Sequence, residues 1–179
     1  MIPQAATRSC HSAPRVVLVG PPGAGKSTIG RRLSRTLNLP LVDSDLLLEK
    51  RHGMTCGELF TAVGEPRFRE LEAEVIADAL QMGGVLSLGG GAVLTDSTRA
   101  LLTGHTVVWV DVSAEEGYRR TRDEGTRPVL DADDPLEHYR NLIATREPYY
   151  HEVAGYRLRS DDKSPQQLVA DILSFLESF

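Results

Sequence analysis

The stretch Gly20-Pro21-Pro22-Gly23-Ala24-Gly25-Lys26-Ser27-Thr28 follows a short apolar run, Val16–Val19, and opens a helical pattern of apolar and basic residues. It has the form G-x-x-x-x-G-K-S, which is the signature of a P-loop. Glycines in such a loop let the backbone approach phosphate oxygens closely, and the loop amides and the next helix N-terminus supply partial positive charge. The sequence therefore predicts a site for the phosphate chain of a nucleotide.

Two side chains of this loop have separate expected roles. Lys26 would reach the β- and γ-phosphates, and Ser27 would coordinate Mg²⁺. A glycine-rich turn that contains a lysine by chance is the alternative, but strand, loop and helix follow in the order that the motif requires. The residues expected to bind ATP through this loop are Gly23, Ala24, Gly25, Lys26, Ser27 and Thr28.

The composition is that of a globular chain with an acidic balance. It has 179 residues, 41% of them hydrophobic and 25% charged, which suits one domain with a substantial core. The net charge of −5 argues against nucleic acid or an anionic membrane as partner, because both attract basic surfaces. No apolar run approaches the length of a membrane-spanning helix. A small anionic molecule can still bind in a local cluster of arginines.

Cysteine usage and the N-terminal residues bear on the compartment. Cys10 and Cys56 form neither a C-x-x-C pair nor a disulfide framework, which favours a reducing cytoplasm. Residues 1–14 mix polar residues with Pro and Ala and lack the apolar stretch of a signal peptide. We therefore expect a cytoplasmic monomer with a disordered leader at residues 1–14 and one domain at residues 15–179.

Short apolar strands alternate with helical patterns along the chain. Val16–Val19 is apolar at every position, as expected of a central parallel strand buried on both faces. This alternation predicts an α/β, three-layer P-loop fold, in which a five-stranded parallel sheet has helices on both faces. Pro148 should bend or interrupt the helix at residues 136–153. The predicted strands are Val16–Val19, Leu41–Val42, Val85–Leu88, Val107–Val110 and, at an edge, Tyr156–Leu158.

Two segments are expected to be insertions in this fold. Residues about 45–75 form short helices, one of which begins at the capping box Thr55-Cys56-Gly57-Glu58. Most of the charges that follow in the next helix, including Glu70, Glu72 and Glu74, are assigned to a solvated face. Residues about 123–135 are polar, and a loop of that length in a domain is usually a lid or disordered. Pro128 holds the preceding Arg127 in an extended backbone, so that its side chain projects.

Two aspartates follow the second strand in Asp43-Ser44-Asp45. They come at the C-terminal end of a strand, on the rim where α/β proteins bind ligands. This suggests metal binding and base chemistry, although one of them can cap the next helix. Asp111 also ends an apolar strand and competes for the metal, but the capping box Ser113-Ala114-Glu115-Glu116 offers it a structural role. We rank Asp43 ahead of Asp111.

Gly89-Gly90-Gly91 follows the third strand at the same rim. Three glycines there either permit a tight turn or let a ligand contact the backbone directly. Their place at the rim favours direct contact with a ligand.

Five motifs in addition to the P-loop narrow the assignment. They are Asp43-Ser44-Asp45, Phe68-Arg69, Ser87-Leu88-Gly89-Gly90-Gly91-Ala92, Thr126-Arg127-Pro128 and Arg146-x-Pro148-x-Tyr150. In order and near-standard spacing they resemble the successive signatures of shikimate kinase, from Val16 to the C-terminus. The resemblance implies transfer of the ATP γ-phosphate to the 3-hydroxyl of shikimate, on the pathway to chorismate and aromatic amino acids.

The resemblance also implies roles on the acceptor side. Arg69 and Arg146 match the family's arginines for the shikimate carboxylate, which suits the planar guanidinium fork. Asp45 matches the residue that holds the ring hydroxyls, and it is the implied base for the attacking oxygen. The other implied substrate contacts are the backbone of Gly89, Gly90 and Gly91 and the rings of Phe60 and Phe68, which would wall the apolar side of the substrate ring.

On the nucleotide side, the resemblance implies Mg²⁺ held by Ser27 and by Asp43, the latter directly or through water. Lys26 and Arg127 would neutralise charge on the moving phosphoryl group, so the implied catalytic residues are these two and Asp45. Arg120 matches a position that stacks on adenine, and the region of Pro165 would cover the other face of the base.

Two other functions are compatible with a P-loop. A gluconate kinase and a nucleoside monophosphate kinase share this architecture. The full set of shikimate-type signatures argues against a gluconate kinase. A mononucleotide acceptor would need a larger pocket for its base than the insertion at residues about 45–75 suggests. A nucleotide-binding regulator without activity would be expected to lose Asp45, Arg127 or the triple glycine, and all are present. Cys56 near the substrate helix raises the separate hypothesis of a reactive thiol beside the pocket.

Overall fold

Five parallel strands form the centre of the structure, a computed structural model that describes residues 12–124 and 133–179. The strands are β1 (Val16–Val19), β2 (Leu41–Asp43), β3 (Val85–Ser87), β4 (Val107–Asp111) and β5 (Tyr156–Arg159). Their order across the sheet is β2-β3-β1-β4-β5, and every pair is parallel. The predicted parallel sheet, with the last strand at an edge, is confirmed.

Eight α-helices accompany the strands within the described ranges. They are α1 (Lys26–Leu37), α2 (Ser44–His52), α3 (Cys56–Val63), α4 (Glu65–Ala79), α5 (Asp96–Leu102), α6 (Ala114–Glu124), α7 (Pro135–Val153) and α8 (Pro165–Leu176). Helix α7 is continuous through Pro148, so of the two predicted effects of this proline, a bend or an interruption, the interruption is wrong. Tyr150 and Val153, which follow the proline, are buried in the core. None of the helices in the described ranges has the length and apolar character needed to cross a membrane.

The sheet separates two apolar cores. Alternate side chains of β1 point to opposite faces, so Val17 and Val19 enter one core while Val16 and Leu18 enter the other. Helices α4, α5 and α7 cover the first core, and α1 and α8 cover the second. The predicted three-layer arrangement is confirmed, and its two-sided burial explains why β1 is apolar throughout.

A third, smaller core lies within the first predicted insertion. It contains Leu48 of α2, Leu59 of α3, and Phe68, Leu71 and Val75 of α4. Residues about 45–75 therefore pack around apolar side chains of their own, and they present polar residues to the end of the sheet.

The boundaries of the leader and of the lid differ from the predictions. Ser12 forms a parallel bridge with Met82, and Pro14 is buried, so residues 12–14 belong to the folded unit. The rest of the predicted leader lies outside the described residues, as do 125–132 of the predicted lid, with Arg127. At its two ends the predicted lid is helical, because α6 extends to Glu124 and α7 begins at Pro135.

Candidate active site

A cleft of about 290 Å³ opens where β1, β2 and β3 end. The P-loop follows β1. Asp43 is the last residue of β2, and Asp45 lies in the first turn of α2. The first two glycines of the triple glycine follow β3. All of these line the cleft, and Arg120 and Pro165 line it as well. The fold thus brings motifs that are far apart in the chain to one rim, as expected for a parallel sheet.

Glycines of the P-loop adopt positive φ angles, which other residues rarely adopt. Gly23 (φ 82°) and Gly25 (φ 97°) are left-handed, and Gly25 is the N-cap of α1. Helix α1 therefore begins at the cleft, where its N-terminal amides favour an anion. Lys26 Nζ donates to the carbonyl oxygens of Gly20 (2.6 Å) and Pro21 (3.0 Å), so its ammonium group lies against the loop itself.

Asp43 caps a helix and also lines the cleft. Its Oδ1 accepts from the amides of Asp45 (2.9 Å) and Leu46 (3.2 Å), which makes it the N-cap of α2, and it also lines the cleft with Ser27. Carboxylate and hydroxyl oxygens are ligands that Mg²⁺ takes. Residues 12–124 and 133–179 contain no group of three or more His, Cys, Asp or Glu that could hold a metal ion. The residues present fit Mg²⁺ that takes its remaining oxygens from phosphate and water, as Mg²⁺ usually does.

Asp111 has a structural role instead. It is buried, its Oδ2 forms ion pairs with Arg157 (2.7 Å) and Arg159 (3.4 Å), and its Oδ1 accepts from the amide of Val112. It does not line the cleft. These contacts join β4 to β5, and the ranking of Asp43 ahead of Asp111 for the metal stays a prediction.

The first and third glycines of Gly89–Gly91 each give space to a polar side chain. A Cβ atom on Gly89 would lie 2.5 Å from Asp45 Oδ1, and one on Gly91 would lie 2.6 Å from Arg69 Cζ. Both distances are too short for real carbon contacts. The glycines therefore allow Asp45 and Arg69 to approach the backbone of one loop.

The middle glycine brings two further elements to the same loop. A Cβ atom on Gly90 would lie 2.8 Å from Pro22 Cδ and 3.3 Å from Arg146 Nη1. The triple glycine is thus in contact with the P-loop through Pro22, and it lies between Asp45, Arg69 and Arg146.

The backbone of Gly89 differs from the expectation in one respect. Its amide donates to Ser44 Oγ at 3.0 Å, a buried hydrogen bond that joins the glycine loop to the start of α2. This amide is engaged within the protein, so the expected amide contact to a substrate does not apply to Gly89 here. Because Gly89 has no side chain, the Asp45 carboxylate can lie against its backbone.

A sequence model of the family described as shikimate kinase matches residues 22–177. The chain belongs to the shikimate kinase family. A shikimate kinase of Corynebacterium efficiens is 66% identical over 164 residues, which are 92% of this chain and 97% of that relative. The solved structure of shikimate kinase from Acinetobacter baumannii in complex with shikimate matches with a TM-score of 0.86 at 33% identity, over 94% of this chain and 95% of that one.

A gluconokinase from Sinorhizobium meliloti also matches, with a TM-score of 0.63 at 16% identity, over 94% of this chain and 93% of that one. This likeness shows the fold alone. The shikimate kinase relatives, at far higher identity, leave the gluconate alternative unfavoured.

Glu72 is a site residue that the sequence analysis missed, because it was grouped with charges of a solvated face. It is only 4% exposed, and its Oε1 accepts from Arg69 Nη1 at 2.9 Å. Burial raises the pKa of Glu72, and the positive charge of Arg69 opposes this shift. The available signal was helical spacing, since Glu72 follows the buried Phe68 by four residues and therefore lies on the core face of α4.

Not every residue that the shikimate kinase resemblance assigned to the substrate lines the cleft. Phe68 is buried in the third core, and its ring centroid is 5.3 Å from that of Phe60, which is 38% exposed. The residues of this group on the cleft wall are Asp45, Gly89 and Gly90; the others, Arg69, Gly91, Arg146, Phe60 and Phe68, are not.

At the nucleotide end, Arg120 is held by protein oxygens. Its Nη1 donates to the carbonyl of Gly23 (3.2 Å), and its Nη2 donates to the carbonyl of Ser160 (3.1 Å). The guanidinium therefore joins the P-loop to the segment that follows β5. Ser160 and Lys163 also line the cleft and were not singled out from the sequence.

The surroundings of Cys56 argue against the hypothesis of a reactive thiol in the folded protein. Burial, followed by the nearby carboxylates of Asp45 and Glu49, raises the pKa of Cys56 to about 12. Its Sγ donates to the carbonyl oxygen of Asp45 at 3.6 Å, and the residue is half-buried. The thiol is therefore protonated at neutral pH, and a thiol is a poor nucleophile.

We expect iodoacetamide at pH 8 to label Cys56 at least about a hundredfold more slowly in the folded than in the urea-unfolded protein, because reactivity follows the thiolate fraction. Mass spectrometry of the peptide that contains Cys56 measures this. Equal rates in the two states would contradict the protonated, buried thiol.

Proposed function

We propose that this protein transfers the γ-phosphoryl group of ATP to the 3-hydroxyl of shikimate and releases shikimate 3-phosphate and ADP. One observation carries the proposal: the triple glycine packs against Asp45, Arg69 and Arg146 and touches the P-loop through Pro22. Two guanidinium groups suit a carboxylate, and an aspartate suits hydroxyl groups. Shikimate is a small carboxylated triol, and the relatives named shikimate kinase support it as the acceptor.

On the nucleotide side, the amides at the start of α1 would bind the phosphates, and Lys26 would exchange loop carbonyls for phosphate oxygens by rotation of its side chain. Ser27 and Asp43 would hold Mg²⁺, which, when bound, offsets charge on the phosphates. Arg120 and Pro165 would lie on opposite faces of the adenine. Arg127 would offset charge on the transferred group, a role that rests on its sequence motif alone.

On the acceptor side, Asp45 would orient the attacking hydroxyl and accept its proton. It lies beside Gly89 and lines the same cleft as the P-loop. The transition state of phosphoryl transfer is loose, so correct placement of the hydroxyl contributes much of the rate. Arg69, fixed by its ion pair with the buried Glu72, would bind the carboxylate together with Arg146.

We also propose a monomer that acts in the cytoplasm without nucleic acid or membrane partners. The acidic net charge of −5 supports the absence of polyanionic partners. Light scattering after gel filtration tests the monomer, and a mass twice that of the chain would refute it.

The decisive experiment measures ADP release from ATP and Mg²⁺ by the purified protein with shikimate, gluconate, AMP or no acceptor. We expect strong release with shikimate alone. Release without an acceptor would indicate an ATPase or a regulator, and release with a control acceptor would overturn the substrate assignment.

Gly91→Ala is expected to raise the KM for shikimate about 10- to 100-fold, the range of one lost charge-assisted interaction. The new Cβ would collide with the Arg69 guanidinium and displace it. The KM for ATP should change less than about twofold, because the P-loop is not touched. Gly104→Ala is the matched control, since among the described residues no heavy atom beyond its chain neighbours lies within 4 Å of a Cβ there. An unchanged KM for shikimate in Gly91→Ala would contradict the role of Arg69.

A further inference from the structure

Helix α7 contacts both loops of the site through tyrosine hydroxyl groups. The Tyr139 hydroxyl donates to the carbonyl oxygen of Pro22 in the P-loop. The Tyr150 hydroxyl donates to the carbonyl oxygen of Gly90 in the triple glycine, at 2.6 Å. Both side chains are about 1% exposed. They are separated by about three helical turns, so both rings leave the same face of α7.

The two carbonyls that α7 holds belong to loops in direct contact. Pro22 packs on Gly90, where a Cβ atom would lie 2.8 Å from Pro22 Cδ. The contacts therefore form a closed ring, which runs from Tyr139 to Pro22, then to Gly90 and Tyr150, and back along α7. One helix therefore bonds to a carbonyl of the nucleotide loop and to a carbonyl of the acceptor loop.

The hydrogen bond from Tyr139 restrains the P-loop at a point where the backbone changes in flexibility. Pro21 and Pro22 have fixed φ angles, whereas Gly23 (φ 82°), which follows the Pro22 carbonyl, can adopt many conformations. A hydrogen bond from a buried ring to the Pro22 carbonyl removes that freedom where phosphate binds.

A glycine in helix α6 leaves space for the contact between Tyr139 and the P-loop. A Cβ atom on Gly117 of α6 would lie 2.8 Å from Tyr139 Cε1 and still closer to the hydroxyl group. A Cβ atom on Gly23 would in turn lie 2.6 Å from the Gly117 carbonyl oxygen. Gly117 thus lets the Tyr139 ring and the P-loop meet at one point.

We propose that Tyr139 is a positioning residue for the P-loop, which holds the Pro22 carbonyl so that the loop is ready for the nucleotide, and that Tyr150 serves the acceptor loop in the same way. The Tyr139 hydroxyl bonds to a backbone carbonyl and so acts through the P-loop, whereas the Tyr150 hydroxyl acts through the Gly90 carbonyl and through its hydrogen bond with the Arg146 side chain. The role of Tyr150 rests on the proposed function, whereas that of Tyr139 needs only a nucleotide in the P-loop.

The test compares single hydroxyl deletions on α7. Tyr139→Phe should raise the KM for ATP and the Kd for Mg²⁺-ADP about three- to tenfold, the contribution of one neutral hydrogen bond, and leave the KM for shikimate within about twofold. Tyr150→Phe should raise the KM for shikimate about three- to tenfold and leave the KM for ATP and the Kd for Mg²⁺-ADP within about twofold. Tyr149→Phe is the matched control, because the Arg99 guanidinium lies over that ring, with its Cζ atom 4.2 Å from the ring centroid.

Calorimetry with Mg²⁺-ADP separates this inference from the proposed function, since it needs no acceptor. If the wild type failed to use shikimate, weaker ADP binding by Tyr139→Phe would still support the role of Tyr139. Gly117→Ala provides a second route, because its Cβ displaces the Tyr139 ring, and it should weaken ADP binding likewise. Unchanged ADP affinity in both variants, or equal losses for ATP and shikimate, would overturn the proposal, as would a lowered melting temperature with unchanged KM values.

Discussion

Asp45→Asn should lower kcat for shikimate phosphorylation by about 10²- to 10⁴-fold, the usual contribution of a general base. Asparagine keeps the shape of the side chain and can still bond to a hydroxyl group, but it cannot accept the proton. The carboxylate lies on the cleft wall against Gly89, where an acceptor hydroxyl would be held beside the P-loop. The affinity for Mg²⁺-ADP should stay within about twofold, because the P-loop contacts are unchanged.

A coupled assay of ADP release measures kcat, and calorimetry measures ADP affinity. Asp78→Asn is a suitable control, since that aspartate is 64% exposed and forms only a surface ion pair with Arg51. If Asp45→Asn kept kcat within tenfold of the wild type, proton removal would have to occur without Asp45.

Lys26→Ala is expected to lower kcat/KM for ATP by about 10³-fold or more, because a fixed positive charge at the transferred phosphoryl group is lost. The chain contains only three lysines, and the other two are Lys50 and Lys163. Lys26→Arg should recover little of the lost activity, because a planar guanidinium differs in shape from the compact ammonium group. In the structure this ammonium group donates hydrogen bonds to the carbonyls of Gly20 and Pro21.

The control for Lys26→Ala is Lys50→Ala, at an exposed position of α2. Thermal unfolding of both variants should accompany the kinetics, because Lys26 also bonds to its own loop. Activity of Lys26→Ala within tenfold of the wild type would remove Lys26 from the mechanism.

The sheet and the P-loop could be predicted because their signals are local. Runs of β-branched residues such as Val16–Val19 predict buried strands, and the motif from Gly20 to Ser27 needs only a strand before it and a helix after it. The order of the strands was not predicted, because hydrophobic periodicity does not contain information about which strands are neighbours.

The parts of the site that were missed depend on tertiary contacts. Glu72 has a charged side chain, and its burial follows from the packing of α4 against α2. The bonds of Tyr139 and Tyr150 join residues that are more than fifty positions apart, and no local pattern marks a tyrosine whose hydroxyl group meets a distant carbonyl. Family resemblance supplied Arg69 and Arg146, which their local sequence alone would have left as surface charges.

The small core of Leu48, Leu59, Phe68, Leu71 and Val75 lies on the acceptor side and is distinct from the two cores beside the sheet, although α4 also contributes Ile76 and Ala79 to one of those. Asp45, Arg69 and Glu72 lie on the helices that it joins, whereas the P-loop depends on the cores beside the sheet. Leu47 packs against this small core and against one of the large ones. Local opening of these helices can therefore proceed while the nucleotide loop stays folded. In evolution, the same separation would let a lineage exchange its acceptor while it keeps the machinery for ATP.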